Sequence, residues 1–110
     1  MNTTSLTQLA DEQLDRARAA SSGRAAVTVH GGREHDLRQT LIAIAAGHSL
    51  GEHDAPGEAT LLVLGGQVRL VAGEESWEGA QGEFLVIPPA RHDLTAVTDA
   101  CVLLTVATRA

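Results

Sequence analysis

The chain predicts an all-β domain of antiparallel strands preceded by one short helix. Three observations support this. From Ala25 onward, short β-prone runs alternate with Gly, Pro and Asp turn signals, the pattern of a sandwich or barrel. Hydrophobic residues make up 44% of the chain but aromatics only 2%, so the core is to be built from Val, Leu, Ile and Ala. The 110 residues fit one domain and fall short of two.

Residues 4–20 read as an amphipathic helix. Leu6, Leu9, Gln13 and Arg16 trace part of a helical stripe flanked by Leu14 and Ala17, with Thr4 or Ser5 as the cap and Ser21-Ser22-Gly23 as the stop. This sets a division into an N-terminal helix or arm, 1–24, and a β-domain, 25–110. Strands are expected near 25–30, 37–46, 59–64, 67–72, 75–78, 83–87, 92–97 and 101–107. Gly65-Gly66, between two apolar runs, predicts a tight hairpin. Leu61-Leu62-Val63-Leu64 and Cys101-Val102-Leu103-Leu104 do not alternate, so both faces of those strands need cover. The cover is the N-terminal helix or a second copy of the chain, and a homodimer packed sheet to sheet is the expected partner arrangement.

Charge and composition exclude several function classes. Eight arginines and no lysine stand against fourteen acids, for a net charge of -6, and the arginines are scattered. A nucleic-acid backbone needs a clustered basic face, so no nucleic-acid partner is expected. The longest apolar run, Leu41 to Ala46, is too short for a bilayer span, and the first residues lack the pattern of a signal peptide, so no membrane is expected and the expected location is cytoplasmic. Cys101 is the single cysteine, which rules out an intrachain disulfide and a cysteine zinc cage. It reads as a small buried hydrophobe rather than a nucleophile. There is no glycine-rich phosphate loop and no nucleophile elbow.

Two segments resemble the paired motifs of the cupin family. The first is Gly47 to Gly66, GHSLGEHDAPGEATLLVLGG, in which Gly47 and His53 have the family spacing and Val63-Leu64-Gly65-Gly66 is similar to its closing turn. The second is Gly82 to His92, GEFLVIPPARH, where Gly82 and Pro88 fit, Ala90 replaces a glycine and His92 arrives one residue early. The resemblance spans about residues 25 to 107. It implies a single antiparallel, jelly-roll-like cupin β-barrel with a short N-terminal helix, and a divalent metal held by three histidines and a glutamate. Here Ala55 occupies the second histidine position. Ungapped counting puts the glutamate position at Ala59, with Glu58 one residue away. A one-residue slip in a strand reverses the side chain, so Glu58 faces inward only if Pro56-Gly57 or a bulge resets the phase.

The resemblance therefore leaves His53, Glu58 and His92 as the candidate metal set, with His48 as a further candidate. Two histidines and a carboxylate suit iron–oxygen chemistry or hydrolytic zinc, and Zn, Fe, Mn and Ni are not distinguished. The alternative is an ancestral metal site lost, with His53 and His92 left as polar groups of a pocket. Candidate ligand contacts are His53 and His92, Arg91 as an anion anchor at the mouth, Trp77 as a lid or stacking platform, and Arg38 on its strand. His30 and His35 flank Gly31-Gly32 on a connection. Two readings follow: a small-molecule-binding barrel, or a metal-dependent dioxygenase, isomerase or lyase acting on a small polar metabolite. The orientation of Glu58 discriminates between them.

Overall fold

The computed structural model describes residues 1–108; the last two positions of the β-domain expected over 25–110, Arg109 and Ala110, lie outside the described residues. One helix, α1 (Leu6–Ala19), precedes eight strands: β1 (Arg24–His30), β2 (Leu37–Ile44), β3 (Glu58–Gly65), β4 (Gln67–Ala72), β5 (Glu75–Ala80), β6 (Phe84–Val86), β7 (Asp93–Ala96) and β8 (Ala100–Ala107). Ser5 caps α1, its side chain accepting from the Gln8 N–H at 3.2 Å, which satisfies one of the free donors of the first turn.

The strands form two antiparallel sheets, one of five strands in the order β1-β2-β8-β3-β6 and one of three in the order β5-β4-β7. Alternation along β3 and β4 sends Ala59, Leu61, Val63, Val68 and Leu70 into one core with Ile44, Ile87, Leu94, Val102 and Val106. The outer face of the large sheet carries a second, smaller cluster. There Ala17 of α1 packs with Ala43 and Cys101, against Ala10, Leu14, Ala25 and Leu64. β8 is apolar on both faces because one faces the core and α1 covers part of the other.

The expected antiparallel architecture with one helix is met, and the barrel only in part: among the described residues the strands form two antiparallel sheets, and the edge strands β5 and β6 do not pair. One expectation is corrected: Gly65-Gly66 is not a hairpin, because β3 and β4 belong to different sheets and the chain crosses between them at this point. The β7–β8 connection makes the return crossing beside it. Gly66 has φ 75° and lies so close to Asp99 and Ala100 that a Cβ there would overlap the Asp99 carbonyl oxygen, so both space and backbone conformation demand glycine.

Candidate functional site

The segment following β2 runs antiparallel to β7 without forming a continuous strand. Gly47 N–H donates to Ala96 O at 2.9 Å, and Leu50 N–H to Leu94 O at 3.0 Å. His53 and His92 then exchange both backbone hydrogen bonds, each at 2.9 Å, as a directly opposed pair. Residues opposed in this way project to the same face. The two imidazoles accordingly meet, with centroids 4.4 Å apart and planes at 65°. His92 is buried at 3% exposure, whereas His53 sits at the exposed rim.

Each ring is locked in the same way. His53 Nδ1 lies 2.8 Å from the Gly51 carbonyl oxygen and His92 Nδ1 lies 2.9 Å from that of Ala90. A carbonyl can only accept, so Nδ1 carries the proton in both residues and, in the neutral ring, Nε2 is the bare acceptor. Neither Nε2 has a hydrogen-bond partner among the described residues. The loop behind His53 is itself pinned. Asp93 accepts from the Gly51 N–H at 3.0 Å, and Arg24 donates to the carbonyls of Ser49 and Leu50 at 3.1 and 3.2 Å. Sequence reasoning missed Asp93 and Arg24 as positioning residues, since their partners are backbone atoms that leave no side-chain motif.

The two histidines line a cavity of about 20 Å³ whose remaining wall is aliphatic, including Ile42, Leu50, Leu61 and Leu104. That volume holds roughly one water-sized group. Ile42 and Leu50 also border a larger cleft of about 370 Å³ beside Ser22, Arg24, Ala25 and Ala26.

The structure does not bring the other expected residues to this cavity. Glu58 opens β3 exposed, while Ala59 beside it is buried, so the Pro56-Gly57 turn does not reset the phase. His48 is exposed, its ring lying over Gly23. Arg91 is engaged by Glu52 at 2.6 Å and Asp54 at 3.3 Å, hydrogen bonds that push its pKa up and satisfy the charge meant for an anion. Arg38 is exposed on β2 and does not line the cavity. His30 and His35 pair elsewhere on the surface, with centroids 4.5 Å apart. Trp77 packs against the core from β5 and lines a different cleft. No group of three or more His, Cys, Asp or Glu side chains is placed to hold a metal among the described residues.

No family model matches the chain, and no curated protein matches its sequence. Solved structures do match it. A RmlC-like cupin protein from Desulfovibrio desulfuricans is 25% identical, with 98% of this chain and 97% of that one covered at a TM-score of 0.73. The chain folds as a small cupin domain. A conserved protein of unknown function from Streptococcus pyogenes is similar to this chain at 26% identity and a TM-score of 0.72, covering 83% of this chain and 79% of that one. Salicylate 1,2-dioxygenase from Pseudaminobacter salicylatoxidans shares the fold at 19% identity and a TM-score of 0.75, over 91% of this chain and 33% of that one. No helix among the described residues is long and apolar enough to cross a membrane.

Proposed function

We propose that this cupin is a small-molecule-binding module whose polar anchor is the His53–His92 pair. The observation that carries the reading is the double lock: both Nδ1 protons are held by backbone carbonyls, leaving two bare Nε2 acceptors at one cavity. Such a pair suits a ligand that presents a hydroxyl or other hydrogen-bond donor as its head, in a space sized for one small group. The body of the ligand fits the cleft that adjoins through Ile42 and Leu50. Small sites that fix orientation with a few polar groups in an apolar wall follow this design.

The residues do not fit the resident metal of the family resemblance. A catalytic zinc takes three protein ligands, and a non-haem iron centre takes two histidines and a carboxylate. The cavity supplies two imidazoles, with Glu58 outside and alanines at positions 55 and 59. No reaction step is derived through a metal on that set.

The test is nuclear magnetic resonance of the histidine rings during titration with small alcohols and phenols, salicylate included because a structural neighbour is a salicylate 1,2-dioxygenase. At least one compound is expected to shift both rings, and His92→Ala is expected to abolish its binding while leaving the amide spectrum folded. A panel that moves neither ring overturns the reading. So does elemental analysis finding one equivalent of a divalent metal in protein purified without added metal.

A further inference from the structure

A second cleft lies on the side where the sheets do not close. It has a volume of about 230 Å³ and is bordered by Leu70, Trp77 and Glu75 of the β4–β5 hairpin on one edge and by Leu85, Val86 and Pro88 on the other. The register of β4 and β5 pairs Leu70 with Trp77 and Ala72 with Glu75, so the indole and the carboxylate share the face turned toward this opening. The indole position is fixed from below. A Cβ on Gly79 would overlap the far edge of the Trp77 ring, so the ring lies across the bare backbone of Gly79.

The charge of this cleft has one sign. Glu75 is its single ionisable lining residue, and it takes part in no ion pair among the described residues. The hairpin's basic residue, Arg69, is paired with Glu78 on the opposite face of the same strands. Glu74 adds a second carboxylate in the adjoining turn. An aromatic face attracts a cation through its quadrupole, and most strongly when the ring is an indole. An apolar cleft with an indole wall and an acidic lip favours a ligand with a compact apolar body and a positive charge. The volume lies below the roughly 300–1,000 Å³ of drug-sized sites, so the ligand is small.

We propose that this cleft is a binding site for a small organic cation of the alkylammonium class, with Trp77 and Glu75 as its recognition pair. The site is separate from the His53–His92 cavity; Leu70 borders both.

Trp77 is the single tryptophan and the chain has no tyrosine, so intrinsic fluorescence reports on this cleft. The experiment titrates the full chain with choline and, in parallel, with dimethylbutanol, its uncharged carbon isostere. Choline is expected to change Trp77 emission saturably, with an affinity that falls as salt rises, and dimethylbutanol is expected to bind more weakly. Glu75→Gln, an exposed change, is expected to weaken choline binding roughly fivefold without altering the weaker binding of the isostere. Equal binding of choline and dimethylbutanol overturns the proposal. Unchanged choline affinity in the Glu75→Gln variant overturns it too, as does a choline titration that leaves the emission flat.

Discussion

Asp99 joins three parts of the molecule through one residue. One carboxylate oxygen accepts from the Ala46 N–H at 2.8 Å and the other from Arg18 Nε at 2.8 Å, tying the loop after β2 and the end of α1 to the β7–β8 crossing. Its backbone carbonyl lies against Gly66 in the neighbouring crossing. The Ala46 N–H, and then the Arg18 guanidinium, hold its carboxyl below the ordinary 3.8. A lowered folded-state pKa means that the unfolded chain takes up the proton first. The stabilisation is therefore present above about pH 4 and is lost as pH falls through the folded value. Asp99→Asn is expected to lower stability at pH 7 by no more than about 1 kcal/mol, because the carboxylate keeps about a third of its side-chain exposure and its ion pair is screened by water. The difference from wild type should shrink in denaturant titrations as pH falls below the ordinary 3.8 and toward the folded value. A difference that does not shrink there assigns the loss to packing rather than to charge.

At the scale of elements, α1 serves as the lid of the second core cluster. Cys101 lies beneath it at 4% exposure, its Sγ 3.5 Å from the Ala10 carbonyl oxygen, and burial pushes its thiol pKa up. Thiol labelling thus measures helix undocking. Cys101 is expected to react slowly in the native protein. Leu14→Ala removes about 1–2 kcal/mol of apolar contact from a half-buried site and should speed labelling about tenfold. Native labelling at the rate of a free thiol would contradict this packing. The positions of the strands were legible in the sequence, because alternation and turn residues act locally. Their pairing was less so. Leu61–Leu64 and Cys101–Leu104 announced that both faces were covered, but a helix and a second subunit satisfy that pattern equally. Gly65-Gly66 signalled a turn, and two glycines do not say whether the chain re-enters the same sheet. At the site, His53 and His92 stood out as imidazoles near turns. Glu58 was ambiguous by one residue of phase, which only the backbone at Pro56-Gly57 decides.

For the whole molecule, α1 leaves part of the outer face of the large sheet uncovered. Leu62 stands opposite both Phe84 and Leu103 there, and Phe84 and Val86 are 60% and 63% exposed. We propose that this face pairs with a second copy of the chain, burying more than about 1,000 Å² in total. Light scattering is expected to give a dimer for the wild type and a monomer for Phe84→Glu, whereas a monomeric wild type at tens of micromolar rules the pairing out. The strand order of that sheet also bears on how the protein is made. β8 sits between β2 and β3, so neither of those strands meets a neighbour on its inner side until residues 100–107 have been synthesised and have left the ribosome. During that interval the Leu61–Leu64 run is an open edge in a crowded cell, and slow closure of such distant pairings exposes chains to aggregation. A chain cut short before Ala100 therefore lacks its central strand and is a substrate for chaperones and proteases rather than a smaller folded domain.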